Sequence, residues 1–192
     1  MCRKIVIADD EPITRMNIAE MLEDAGYEVV GQAVDGFDAV ELCKKHQPDL
    51  VILDVKMPLL DGLMAAKLIR EEGLKCGVML LTAYSGREFI EKAKEVGVIN
   101  YLVKPVTEKA ILPAVEIAIH KSQEFEQIKS ETDKANEKLE ARVFIDRAKS
   151  VLMKREQMNE EDAYNYIRKM SMDKRCSMKE ISRIILLNEE AR

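Results

Sequence analysis

Asp9 and Asp10 stand side by side after the apolar run Ile5-Val6-Ile7-Ala8, and Asp54 closes a second run, Leu50-Val51-Ile52-Leu53. Thr82 follows a third run, Val78–Leu81, and Lys104 a fourth, Tyr101–Val103. A carboxylate at the end of a buried strand is not a packing residue, because burying its charge unpaired is costly. Three carboxylates brought together repel and raise one another's pKa. A divalent cation relieves that repulsion, and an all-oxygen donor set with open positions suits Mg2+. With the cation in place, one oxygen of Asp54 faces an incoming phosphorus, and carboxylate nucleophiles do form aspartyl phosphates. Lys104 offers a compact positive charge to phosphoryl oxygens, and Thr82 a hydroxyl donor. Neutralising charge and positioning the reactants are what phosphoryl transfer requires.

These residues meet only if the chain brings the strand ends to one edge. Strand-like runs (Ile5–Ala8, Tyr27–Gln32, Leu50–Asp54, Val78–Leu81, Tyr101–Val103) alternate with helical stretches at Pro12–Ala25, Asp35–Lys45, Leu63–Glu72, Arg87–Glu95 and a last helix capped by Thr107 and running past His120. Ile13, Met16, Ile18, Ala19 and Leu22 are expected to form the packed stripe of the first helix, and Phe37, Val40 and Leu42 that of the second. Continuous apolar strands between helices predict an α/β doubly wound parallel sheet of five strands, covered on both faces. Right-handed crossovers then bring the acidic pair, Asp54, Thr82 and Lys104 to the same sheet edge. Singly, each signal has an ordinary structural reading. Asp9-Asp10 alone suits a helix N-terminus, Thr82 a cap, Tyr101 a half-buried strand aromatic, and Lys104-Pro105 a turn. Their joint placement at strand ends carries the argument.

The stretches IVIADDEP, LVILDVKMP followed by Asp61-Gly62, LLTAYS and YLVKP, in this order, resemble the receiver domain of bacterial response regulators over residues 1–120. The resemblance implies a flavodoxin-like sheet of order 2-1-3-4-5 and phosphorylation of Asp54 by a sensor histidine kinase. It also implies Mg2+ held by Asp9, Asp10, Asp54 and the backbone carbonyl of Lys56. Lys104 becomes the phosphate-binding lysine, Pro105 follows a cis-favouring Lys-Pro pattern, and Thr82 and Tyr101 form the switch.

Bulk properties fit a two-part regulator. Of the 192 residues, 1–140 carry a balance of −8 and 141–192 a balance of +3, which together give the net −5. Cys2, Cys43, Cys76 and Cys176 are scattered and only His46 and His120 are present, so neither a zinc site nor a disulfide framework is expected. Cys43 and Cys76 read as small hydrophobes. The chain has no run near the about 20 apolar residues of a membrane span, and a cytoplasmic setting is expected. No glycine-rich nucleotide loop or Ser/Cys/His nucleophile set points to a free-standing enzyme.

Beyond Pro113 the chain holds neither proline nor, after Gly97, glycine. A heptad with Ile111, Ala118, Phe125, Thr132 and Leu139 at a, and Ala114, Lys121, Ile128, Ala135 and Arg142 at d, predicts a coiled-coil linker over 113–145, and a homodimer on phosphorylation is expected through this region or the receiver face. Three helices then make a small all-α domain over 141–192: Ala141–Arg155, Glu160–Arg175 capped by Asn159, and a third opened by the capping box Ser177-Met178-Lys179-Glu180. The third helix is apolar at its centre and ends in Glu189-Glu190, a poor reader of a DNA major groove. Aromatic and basic residues gather on the second helix instead, which suits RNA.

The blocks Ala148…Leu152-Met153, Glu161-Asp162-Ala163-Tyr164…Ile167-Arg168…Met170 and Ile181…Ile184 resemble the ANTAR output domain of RNA-binding antiterminators, over about 140–187. Lys169 and Ser182 stand where that family often has small alanines. The resemblance implies binding to leader-transcript RNA hairpins that prevents transcription termination, as in the ethanolamine-utilisation regulators of Gram-positive bacteria, to which the whole chain is similar. Lys149, Tyr164, Arg168, Lys169 and Arg175 are the expected RNA contacts. A DNA-binding transcription factor and a protein-interaction regulator without nucleic acid are the alternatives.

Overall fold

Strands without a polar face must be buried on both sides, and the chain satisfies this with helices above and below a single sheet. The structure, a computed structural model, describes residues 2–83 and 87–190. In order, the elements are β1 Lys4–Ala8, α1 Pro12–Asp24, β2 Glu28–Ala33, α2 Gly36–His46, β3 Leu50–Asp54 and α3 Gly62–Glu71. There follow β4 Gly77–Thr82, α4 Arg87–Glu95, β5 Asn100–Val103, α5 Glu108–Arg155, α6 Glu160–Lys174 and α7 Met178–Glu190. The five strands pair in parallel in the order β2-β1-β3-β4-β5, as expected. Of the LLTAYS stretch, Tyr84 and Ser85 lie outside the described residues.

The chain divides into two compact units, Met1–Gln127 and Ile128–Arg192, with the division inside α5. In the first unit, Ile5, Ile7, Leu50, Ile52, Met79 and Leu81 face α1 and the first turns of α5. The alternate residues Val6, Ala8, Val51, Leu53, Val78 and Leu80 face α2, α3 and α4. In the second unit, Ala148 and Leu152 of α5 close on Ala163 and Ile167 of α6 and Ile181 of α7.

Several sequence expectations need correction. The stripe that α1 buries is Ile18, Ala19 and Leu22, whereas Ile13 (75 % exposed) and Met16 point the other way around the helix. On α2, Ala39, Val40 and Cys43 are buried, and Phe37 stands in solvent for the same reason of helical phase. The linker and the first output helix are one uninterrupted helix, α5, because Pro113 falls early in it and no breaker follows. Along the heptad the a and d residues fall in two environments. Ile111, Ala114 and Ala118 are consumed by the sheet, whereas Phe125, Ile128 and Leu139 are exposed. On α7, Ile181 is buried while Ile184 and Leu187 are exposed. Finally, α6 stops at Lys174, and Arg175 is its left-handed cap at φ 52°.

Candidate functional site

The end of a strand positions each acidic group. Asp9 follows β1 and donates its N–H to Ala33 O at 3.2 Å. Its carboxylate is fully buried, with Oδ1 accepting from the Glu11 N–H at 2.9 Å. Arg15, one turn into α1, donates to the Asp9 backbone oxygen at 2.6 Å. Asp54, the last residue of β3, is buried too, and Asp10 is exposed. One carboxylate oxygen from each of the three aspartates lies within 4.8 Å of the others.

Lys104 joins them from the end of β5. Its N–H donates to Thr82 O at 2.8 Å, and the following Lys104-Pro105 peptide is cis. Its Nζ stands 2.8 Å from Asp9 Oδ2 and 3.2 Å from Asp54 Oδ2. The buried Asp9 Oδ2 thus has the Lys104 ammonium as its ion-pair partner. Three carboxylates gathered about one point, two of them buried, form an all-oxygen donor set that fits a hard dication well.

Burial pushes the Asp54 carboxyl above the usual range; Lys104 pulls it down and Asp9 pushes it up again, leaving it raised. Burial lowers the Lys104 pKa, but the contacts with Asp9 and Asp54 outweigh this and hold it above the ordinary lysine value. The ammonium therefore stays charged across the neutral range.

Thr82 is fully buried at the end of β4. Tyr101 pairs with Leu80 and Val103 with Thr82, so Tyr101 and Thr82 face the same side of the sheet, and Tyr101 packs half-buried against that core. Lys56 sits two residues beyond Asp54 in the bend after β3. Lys104 therefore contacts Asp9 and Asp54 directly, Asp10 stands within 4.8 Å of both carboxylates, and Thr82 adjoins them through the Lys104 backbone.

The second unit carries the other expected residues. Tyr164 and Arg168, four apart, share the exposed face of α6, and Lys169 and Arg175 are exposed as well. Lys149 differs: its Nζ lies 2.8 Å from Asp146 and 2.7 Å from Glu160, with 15 % of the side chain exposed. It ties α5 to the start of α6, and these two carboxylates raise its pKa, Asp146 foremost.

Against known families, residues 5–116 match the response regulator receiver domain and residues 133–186 the ANTAR domain. The chain belongs to the receiver–ANTAR response regulators. Among its relatives is the transcriptional regulatory protein PdtaR of Mycobacterium tuberculosis, 42 % identical over 184 residues, covering 96 % of this chain and 89 % of that one. The chemotaxis protein CheY of Bacillus subtilis is 35 % identical over 115 residues, 60 % of this chain and 96 % of its own. The signal receiver domain of the response regulator NarL from M. tuberculosis superposes with a TM-score of 0.60 at 32 % identity, covering 62 % of this chain and 97 % of that domain. The CheX–CheY–BeF3–Mg2+ complex from Borrelia burgdorferi gives 0.57 at 26 %, covering 59 % of this chain and 86 % of that one. This response regulator is thus a signalling protein rather than an enzyme.

Two contributors to the receiver site, Gly62 and Arg15, are given no role by the sequence alone. Gly62 follows Asp61, whose carboxylate caps α3 by accepting from the Met64 N–H at 2.8 Å. A Cβ on Gly62 would run into the carbonyl oxygen of Asp54, so glycine lets α3 start directly against the strand end. The Asp-Gly pair after Pro58 was the available signal. Arg15 had none, because its partner is a backbone oxygen rather than a side chain.

Proposed function

We propose that Asp54 accepts a phosphoryl group from a sensor histidine kinase, and that this favours a dimer able to bind leader-RNA hairpins and prevent transcription termination. One observation carries the reading: a raised-pKa aspartate at a strand end, facing two further aspartates and an ion-paired lysine. Mg2+ held by Asp9, Asp10, Asp54 and the Lys56 carbonyl supplies charge neutralisation when bound. The BeF3 and Mg2+ of the Borrelia CheY complex, a phosphoryl mimic with its cation on a related domain, support that assignment.

The chain's own residues do the rest. Burial and Asp9 make ionised Asp54 uncomfortable, so its oxygen gains by bonding to phosphorus. Lys104, already between Asp9 and Asp54, takes the charge of the phosphoryl oxygens. Thr82 donates its hydroxyl to them, and Tyr101, on the same sheet face, follows into the space Thr82 leaves. The exposed seam Phe125, Ile128 and Leu139 on α5 serves the dimer. Tyr164, Arg168, Lys169 and Arg175 serve the RNA; Lys149 holds the α5–α6 pair that presents them. The domains are read as 1–120, 113–145 and 141–192. Free thiols at all four cysteines suit the cytoplasm, and among the described residues no helix is long and apolar enough to cross a membrane.

The test treats the full chain with acetyl phosphate and Mg2+, reads one added phosphoryl group by mass, and titrates a two-hairpin leader RNA and a matching DNA duplex. Asp54→Asn should gain no phosphoryl group and no RNA affinity on treatment. Preference for DNA, or phosphorylation that leaves RNA affinity unchanged, overturns the output half of the reading.

A further inference from the structure

Asn100, the first residue of β5, pairs with Met79 and so faces the α1–α5 side of the sheet. Its neighbour Tyr101 pairs with Leu80 and packs on the opposite side. The Asn100 side-chain amide is used at both ends. Oδ1 accepts the Tyr101 N–H at 2.9 Å, and Nδ2 donates to the Ala114 carbonyl oxygen of α5 at 3.3 Å. Asn100 and Tyr101 are half-buried, and Ala114 is buried. A backbone donor at one end and a backbone acceptor at the other suit an amide and no other side chain of this size. We propose that Asn100 is a positioning residue that carries movement of Tyr101 to α5, gripping the helix at Ala114.

This rests on the proposed switch, in which Tyr101 follows Thr82. Rotating the Asn100–Tyr101 peptide moves the N–H that Oδ1 holds. The amide is planar, so its Nδ2 end then shifts against Ala114. The grip also falls where α5 is least tied to itself. Pro113 has no N–H, so the carbonyl of Lys109, four residues earlier, lacks its partner in the helical ladder. A helix bends most readily at such a place. Ile111, Val115, Ala118 and Ile119 hold α5 on the sheet through apolar contacts, which are not directional and set no axial register. The Asn100–Ala114 hydrogen bond is directional and does set one. From Ala114 the same helix runs on into the second unit, so a change in its seating acts on the element that both units share.

The experiment treats the full chain with acetyl phosphate and Mg2+ and takes three readings. Mass gives the phosphoryl group gained, hydrogen exchange follows the α5 backbone around Ala114, and sedimentation gives the dimer. Asn100→Asp keeps an acceptor for the Tyr101 N–H and removes the donor to Ala114; Asn100→Leu removes both at similar volume. Ile119→Val thins the packing of α5 on the sheet and leaves Asn100 in place. All three variants should gain the phosphoryl group as the wild type does. In both Asn100 variants phosphorylation should no longer alter exchange around Ala114. Its effect on dimer affinity should fall by about fivefold, the worth of one such hydrogen bond. Ile119→Val should keep both responses. Wild-type responses in Asn100→Asp and Asn100→Leu overturn the proposal. So does an equal loss in Ile119→Val, which would make the contact no more than part of the fold. A wild-type chain that gains the phosphoryl group while α5 and the dimer stay unchanged refutes the switch itself, and the role of Asn100 with it.

Discussion

Gly62 contributes no side chain, yet it fixes where the phosphoacceptor candidate sits. Any Cβ there meets the Asp54 carbonyl, so Gly62→Ala must push α3 or the end of β3 aside. Overpacking of this kind costs about 1–3 kcal/mol. Urea denaturation should register that loss, and phosphoryl incorporation from acetyl phosphate should fall with it. Asp54 itself gives a pH signature. Its pKa is raised in the fold, so the native state binds that proton more tightly than the unfolded chain does. Stability of the metal-free protein should accordingly decline as pH rises from the ordinary carboxylate pKa through the raised one. Mg2+ affinity should climb over the same window, since ionisation supplies the charge the cation seeks. Urea melts and Mg2+ titrations across acid pH check both trends, and Asp54→Asn should flatten both. The residue types of this site were legible because each carboxylate or amine ends an apolar run. Gly62 was visible only as half of a turn pair, since what it avoids is a backbone atom that no pattern marks.

Helix ends were easier to read than helix faces. Asn159 caps α6 by accepting from the Asp162 N–H at 2.8 Å, and Ser177 and Glu180 exchange bonds at the start of α7. Asn159→Ala should cost about 1 kcal/mol, measurable by thermal or urea melting of the full chain. Faces are harder because α1 carries apolar residues on both sides: Ile13 and Met16 are as hydrophobic as the Ile18 and Leu22 that are buried. On α5 the heptad runs without a break through two environments. Ile111, Ala114 and Ala118 complete the sheet's cover, while Phe125, Ile128 and Leu139 remain exposed. Composition cannot mark that change, because the spacing is the same on both sides of it. Replacing Phe125, Ile128 and Leu139 together with glutamine should leave Asp54 phosphorylation intact and remove the phosphorylation-dependent dimer in sedimentation experiments.

Across the whole molecule, sequence charge changes from acidic over 1–140 to mildly basic over 141–192, and each of the two compact units, divided at Gln127/Ile128, has a core of its own. The second core rests on few side chains, so a single truncation should weigh heavily there. Ile167→Ala removes a fully buried anchor of α6 and should destabilise that unit by about 2–5 kcal/mol. RNA affinity should fall with it, while Mg2+ binding at the aspartates persists; loss of both together would contradict independent cores. The sharing of α5 has a further consequence, for the order of synthesis. All five strands leave the ribosome before Ile111, Val115, Ala118 and Ile119, so one face of the sheet waits with only α1 upon it. A nascent chain halted just after Val103 exposes that half-shell to chaperones and aggregation, whereas one halted after Ile119 has been released does not.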